Sequence, residues 1–333
     1  MPYDLTGCYP PQLFIHYLSY TVLIVRDGED SGLSQINAAK QKADHNNENS
    51  FRTKERESAM SIKTILLHLN NDSQLDARIE VALGLAVEHD AHVIGLYTIA
   101  QVTVPTSFMG YVPPEFIEQS RKVDEKNAAE AKARFESQAA KVKRSVEVVI
   151  EEGYAPDLLN EHALSVDLVV VGQGDPEAEN NAQTRYIAEE IVVSSPRPVL
   201  IIPFAGNYSN FGTHVIVGWN NTRESSIALH ESLPFLKKAE KVTLLRVNAT
   251  EDETYEAEHV VAHLGRHGIK ADFKSGHWPD IGVGDAILDS LVDYSGNMLV
   301  LGAYGHSRLR EMILGGVTKT VLEHMTAPVL FAH

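Results

Sequence analysis

Cysteine is almost missing from this sequence. Cys8 is the single one among 333 residues, so no internal disulfide can form and no thiolate metal site can be assembled. A reducing, cytoplasmic setting is the expectation. Long apolar runs are missing too: no stretch reaches the ~18 residues that a membrane-spanning helix needs. The most apolar early piece, Leu13 to Val25, is broken by His16 and Ser19 and runs into Arg26-Asp27. It has neither the basic lead nor the small-residue cleavage site of a signal peptide. Positive charge is scarce. Lys and Arg total 29 against 45 Asp and Glu, a formal net charge of −16, with no basic stripe, which argues against nucleic acid and anionic membrane surfaces as partners. A small phosphate-bearing ligand stays open, because a few backbone N–H groups can hold one locally. Finally, no Gly-x-Ser-x-Gly elbow occurs and no Ser/His/Asp or Cys/His set can be built from spacing, so no catalytic nucleophile is named. His259, His263 and His267 recur at helical spacing, but without an HExxH-type carboxylate they read as a polar helix face rather than a metal site.

What is present is a two-domain quantity of apolar residues, 44% of the chain, enough for two cores of ordinary size. Residues 1–60 stand apart. After a Tyr- and Leu-rich start, Asp27 to Ala59 is polar, charged and without period, which predicts a disordered or dispensable extension. Met60 is the expected physiological start. From there strands and helices alternate: strand Ile65–Leu69, helix Asp76 to Val87, strand His92–Ile99, a Pro- and aromatic-containing insertion over 101–122, and a long helix Val123 to Lys143. Strand Val146–Ile150, helix Pro156 to Leu164, strand Leu168–Val171, helix Ile187 to Val193 and strand Val199–Ile202 complete the first programme. The second runs Val215–Val217, Ser225 to Leu236, Val242–Val247, Glu253 to His267, Ala271–Lys274 and Ile281 to Tyr294, then a closing strand–loop–helix–strand. Such alternation predicts right-handed crossovers and a mostly parallel sheet covered on both faces.

The two programmes are copies. Asn70-Asn71 recurs as Asn220-Asn221, and the whole of 169–200 recurs 130 positions on, Val169 matching Leu299 and Leu200 matching Leu330 without a gap. A repeat of this length is a duplicated domain, predicted at 61–204 and 212–333, and not a solenoid module.

The closing stretch carries the most chemistry. Leu299-Val300-Leu301 is a buried-strand run. Gly302 and Gly305 follow, and Gly315-Gly316 opens a helix with Val317, Val321, Leu322 and Met325 on one face, before Pro328-Val329-Leu330-Phe331 closes the chain as a strand. Strand, glycine loop and helix N-terminus together make an anion site, since the first helical N–H groups are unpaired and glycines let a phosphate approach the backbone. The spacing Gly-x2-Gly-x9-Gly-Gly is neither Walker A nor GxGxxG. It resembles the nucleotide-binding signature of the universal stress protein family, Gly-x2-Gly-x9-Gly-Ser/Thr, as do the strand before it and the Pro-Val-Leu strand after it. Gly316 departs from that pattern, standing where ATP-binding members carry a hydroxyl.

The first copy keeps Gly172 for Gly302 but has Asp175, Arg185 and Tyr186 where the second has Gly305, Gly315 and Gly316. Acidic charge and bulk at phosphate positions predict a first domain that does not bind. The resemblance implies two tandem α/β domains, each an open, mostly parallel five-stranded sheet with helices on both faces, Rossmann-like and similar to the adenine nucleotide alpha hydrolase fold. It further implies that the strands Val199–Ile202 and Val329–Ala332 pair as an intramolecular pseudo-dimer, with a homodimer of the tandem chain still open. Gly302, Gly305, Gly315 and Gly316 become candidate phosphate contacts, against their plain reading as loop glycines. Val317 and Thr318 follow in the first helical turn, and His306, with Arg308 and Arg310, is either a phosphate-facing cation or solvated loop charge. Asn220 takes the place of a nucleoside-contacting Asp, against a reading as a turn and cap. Val247 matches a backbone contact to adenine, against a reading as core. The implied function is a cytoplasmic stress-response module sensitive to ATP, ADP or AMP, with or without Mg2+, acting on an unknown protein partner. Two other readings are a nucleotide-free interaction or holdase-like protein and a slow ATPase, the last needing Mg2+ ligands, a positioned water and the hydroxyl that Gly316 lacks.

Overall fold

Nineteen elements follow from these runs in a computed structural model that describes residues 62–100, 114–174, 181–303 and 316–333. The extension 1–60 lies outside the described residues, as does most of the 101–122 insertion. In the first half, β1 (Thr64–Leu69), α1 (Leu75–His89), β2 (His92–Ile99), α2 (Pro114–Lys141) and β3 (Val146–Glu152) lead to α3 (Ala155–Ala163), β4 (Leu168–Gly172), α4 (Asn181–Ser194) and β5 (Val199–Ile202). The second half has β6 (His214–Gly218), α5 (Arg223–Glu231), α6 (Leu233–Leu236), β7 (Lys241–Val247), α7 (Glu251–Arg266) and β8 (Ala271–Gly276). It ends with α8 (Val283–Asp293), β9 (Met298–Gly302), α9 (Gly316–His324) and β10 (Val329–Ala332).

The α/β class holds, but the two expected five-stranded sheets are one sheet of ten strands, in the order β3-β2-β1-β4-β5-β10-β9-β6-β7-β8. Neighbours within each half are parallel; β5 and β10 are the strands that pair across the halves, antiparallel, with Leu330 opposite Leu200. The physical reason is edge satisfaction. Each half would otherwise end on a strand of unpaired N–H and C=O groups, and these strands are apolar on both faces, so each completes the other's ladder. Every residue of β5 and β10 is buried, as expected for strands covered by helices on both sides.

The duplication is visible as register. Ile65 pairs with Leu168 in the first half, and their counterparts Val215 and Met298 pair in the second. One sheet face packs on α1, α2, α5 and α7 through residues such as Leu75, Phe135, Leu229 and Leu264. The other packs on α3, α4, α8 and α9 through Leu159, Ile191, Leu291 and Val321.

Two predicted boundaries move. The long helix starts at Pro114, inside the predicted insertion, with proline at its first position, where its missing N–H costs nothing. The helix predicted over 225–236 is broken at Ser232, because Pro234 enters the first turn of α6 and cannot donate back to the preceding turn. Among the described residues no helix is long and apolar enough to cross a membrane.

Candidate functional site

Strand order reverses once in each half. In the second half β6 has β7 on one side and β9 on the other, and a crevice forms outside the carboxyl ends of strands at such a point. Gly302 ends β9 there. A Cβ on Gly302 would stand 2.5 Å from the Glu224 carbonyl carbon and 2.5 Å from the Ser225 nitrogen, so the first turn of α5 lies directly on the glycine backbone. That turn is locally determined. Thr222 has extended backbone and its hydroxyl accepts from the Ser225 N–H, while the Ser225 hydroxyl accepts from the Thr222 N–H at 3.1 Å, a reciprocal capping box. The Thr222 hydroxyl donates to the Asn220 side-chain oxygen at 2.8 Å, and Asn221 takes the left-handed conformation at φ 58°. The Asn220 side chain therefore takes part in the turn that starts α5.

The remaining candidates distribute as follows. Gly316 begins α9 and is exposed, with no atom within 4 Å of where a Cβ would stand. Val317 is half-buried against the sheet and Thr318 is buried in the first turn. Val247 ends β7, half-buried, beside Gly276 of β8. Gly302 and Asn220 thus both border the turn that starts α5, and Gly316 opens the helix that follows β9. Gly305, His306 and Gly315, with Ser307, Arg308 and Arg310, lie outside the described residues.

The matching crevice of the first half, between β1 and β4, is filled by the chain itself. Arg78 of α1 is fully buried, and its guanidinium donates to Asp72 at 2.7 Å and to the Asn70 side-chain oxygen. It lies against Gly172: a Cβ there would be 2.4 Å from Arg78 Nη1. Ala228 is the counterpart of Arg78 in the second half, counting from Asn70 and Asn220, so a methyl group stands where the first half has a cation. Burial would raise the Asp72 pKa, but the Arg78 charge and the hydrogen bonds from Arg78, Asn70 and Gln74 outweigh it and hold the carboxyl below its usual value. His68, buried beside this pair, is lowered to about 4, by burial first and the Arg78 charge second.

Sequence reasoning missed Arg78, because periodicity places a charged residue on a surface. It also missed Arg223 and His333. Arg223 is the exposed first residue of α5. His333 follows β10, and its imidazole is lowered by burial first and then by the nearby Arg223 charge, which places both at the α5 end of the crevice. The signal for Arg223 was its position three residues after Asn220. Elsewhere, the rings of His230 and His263 are 5.2 Å apart and those of His263 and His267 are 4.8 Å apart. Among the described residues no three His, Cys, Asp or Glu are arranged to hold a metal ion.

Fold and crevice define a tandem, doubly wound α/β protein whose first strand-end crevice is filled by its own Arg78. The chain belongs to the universal stress protein family, whose model matches residues 61–203 and 282–333, more than half of its length. A universal stress protein of Synechocystis sp. is 27% identical over 198 residues, which is 56% of this chain and 64% of that relative; the chain therefore spans less than two thirds of the relative's length. Among solved structures, a universal stress protein from Archaeoglobus fulgidus superimposes with a TM-score of 0.66 at 16% identity, over 82% of this chain and 97% of that one. A putative universal stress protein from Pseudomonas aeruginosa gives 0.53 at 15% identity, over 82% and 94%. These likenesses bear on fold.

Proposed function

We propose that this protein is a nucleotide-sensitive binding module of two tandem domains, 61–204 and 212–333, that takes adenine nucleotide in the second domain only. The observation that carries this reading is the contrast between equivalent crevices. In the first, a buried guanidinium fills the space beside Gly172. In the second, Ala228 replaces that cation and α9 starts at an exposed glycine with open space around it. The glycine spacing of the family signature supports the same assignment, and a helix start flanked by glycines suits phosphate oxygens. ATP, ADP and AMP, with or without Mg2+, are the ligands to test. Ligand contact would change the surface offered to a protein partner, a population shift that follows from differential affinity. Cytoplasmic location belongs to the same proposal.

The test is direct. The purified protein is denatured and its released ligand identified by mass spectrometry, then the protein is titrated calorimetrically with the three nucleotides. Adenine nucleotide at about one per chain, abolished by Gly305→Asp, supports the reading. Absence of released nucleotide together with no heat at millimolar ligand overturns it. The second reading, a family member acting through protein contacts alone, draws on the first half, where the fold persists around a filled crevice.

A further inference from the structure

The amide of Gln173 crosses from one half of the molecule to the other. Gln173 follows β4, is 6% exposed, and its Nε2 donates to the carbonyls of Leu322 at 2.7 Å and Glu323 at 3.3 Å, in the last turn of α9. Its Oε1 accepts the backbone N–H of Phe204 at 3.1 Å, just beyond β5. Every polar atom of this side chain thus has a partner, and the partners belong to both sides of the β5–β10 seam.

The internal repeat supplies a control. Ala303 is the counterpart of Gln173, and the backbone is the same: the Gln173 N–H donates to Ile202 and the Ala303 N–H donates to Ala332, both matched at the repeat offset. Only the side chain differs. Ala303 has no donor to offer the matching carbonyls of α4, so the contact runs in one direction, from the first half to α9.

We propose that Gln173 makes the first half the anchor of α9 and so couples the two halves through the ligand site. This inference rests on the nucleotide reading given above. Helix α9 has nine residues, about 13 Å at 1.5 Å per residue, short enough to move as one rod. Gly316 opens the helix at the glycine of the family spacing, while the carbonyls of its last turn include those of Leu322 and Glu323. Gln173 satisfies two of those carbonyls from outside the domain. Whatever fixes the start of the rod is therefore linked to what holds its end, and linkage is reciprocal: if the contact favours ligand, ligand favours the contact. The first domain, with its own crevice filled, acquires a role as the holder and reader of the second domain's helix. Gln173 acts as a positioning residue.

The experiment uses the full chain, wild type and Gln173→Leu, titrated calorimetrically with ATP and AMP, with amide hydrogen exchange followed at Phe204 and over 316–324. The expected result is a three- to tenfold weaker nucleotide affinity in Gln173→Leu, a modest coupling between the contact and the ligand. In wild type, saturating nucleotide slows exchange at the Phe204 amide, and that slowing disappears in the variant. A purely structural role would lower the melting temperature without making Phe204 respond to ligand. The Phe204 measurement in wild type stands even if the variant does not fold. Equal affinities, or a Phe204 amide indifferent to saturating nucleotide, overturn this inference and leave the nucleotide reading intact. A wild-type chain that binds neither nucleotide overturns both.

Discussion

Leu200 and Leu330 face each other directly across the β5–β10 seam, and each is the other's counterpart in the internal repeat. The flanking pairs, Val199 with Phe331 and Ile201 with Val329, exchange under the same 130-residue correspondence, so the leucine pair lies on a local two-fold axis. Two copies of one domain have been joined edge to edge within a single chain, and the contact is isologous in the way of a symmetric dimer. Both leucines are fully buried.

One consequence is cooperativity. Both tryptophans, Trp219 and Trp278, lie in the second half, so their fluorescence reports that half while far-UV circular dichroism reports the whole. A continuous ten-stranded sheet predicts coincident guanidinium transitions for the two probes. Leu330→Ala removes buried apolar volume at the axis and is expected to cost about 2–5 kcal/mol. Leu330→Pro also removes a ladder donor and is expected to split the probes into two transitions. Coincident curves in the proline variant would show that the seam does not carry the cooperativity.

The sequence disclosed what depends on local pattern and on the repeat. The strand His92–Ile99 was legible to the residue because its β-branched Val93, Ile94, Thr98 and Ile99 mark it, and the 130-residue correspondence reappears as matched register in β4, β5, β9 and β10. Non-local satisfaction was harder to see. Arg78 belongs in the core because Asp72 and Asn70 neutralise and bind it, a fact invisible to a hydropathy reading. The role of Gln173 depends on a helix 149 residues away. The start of α2 at Pro114 was hidden because its first turn, Pro114-Glu115-Phe116-Ile117, reads on from the Pro- and aromatic-containing insertion.

The buried ion pair of the first half makes an asymmetric prediction. Asp72→Asn leaves the Arg78 guanidinium buried without a counter-charge and is expected to cost about 3–5 kcal/mol. Arg78→Met removes the charge itself, and Asp72, with 23% of its side chain exposed, can be solvated, so the loss should be clearly smaller. Urea denaturation at neutral pH of both variants and the double variant measures the difference. Equal losses would mean that the guanidinium is not relying on Asp72.

Acid sensitivity follows from His68. Its folded pKa of about 4 lies below the ordinary value of 6.5, so the unfolded chain binds more protons between those values. Stability from the neutral imidazole is complete above about pH 6.5, falls as pH drops through the window, and levels off below about 4. At about 1.4 kcal/mol per unit, wild type should lose about 2 kcal/mol more than His68→Leu between pH 7.5 and 5. Burial also lowers His89, His214, His263 and His333, so the variant keeps a slope of the same sign but a shallower one. Parallel stability–pH curves for the two proteins would count against a neutral buried His68.

The two glycines that bound the candidate loop should respond in opposite ways. Gly302 is required by backbone: a Cβ would lie 2.5 Å from main-chain atoms of Glu224 and Ser225, which cannot rotate aside. Gly302→Ala must therefore displace α5 from the strand end and is expected to cost about 1–3 kcal/mol, with any ligand affinity falling alongside. Gly316 has no such neighbour. Alanine there should leave stability unchanged or raise it by up to about 1 kcal/mol, by restricting the unfolded chain. Serine adds the hydroxyl of the family signature at the helix start, and a hydrogen bond to a charged phosphate of about 1.5–3 kcal/mol corresponds to roughly ten- to a hundredfold tighter ATP binding. Thermal denaturation and ATP titration of the three variants separate these effects. If Gly316→Ser binds ATP no better than wild type while Gly302→Ala is destabilised as expected, the crevice geometry stands and the phosphate assignment at α9 does not.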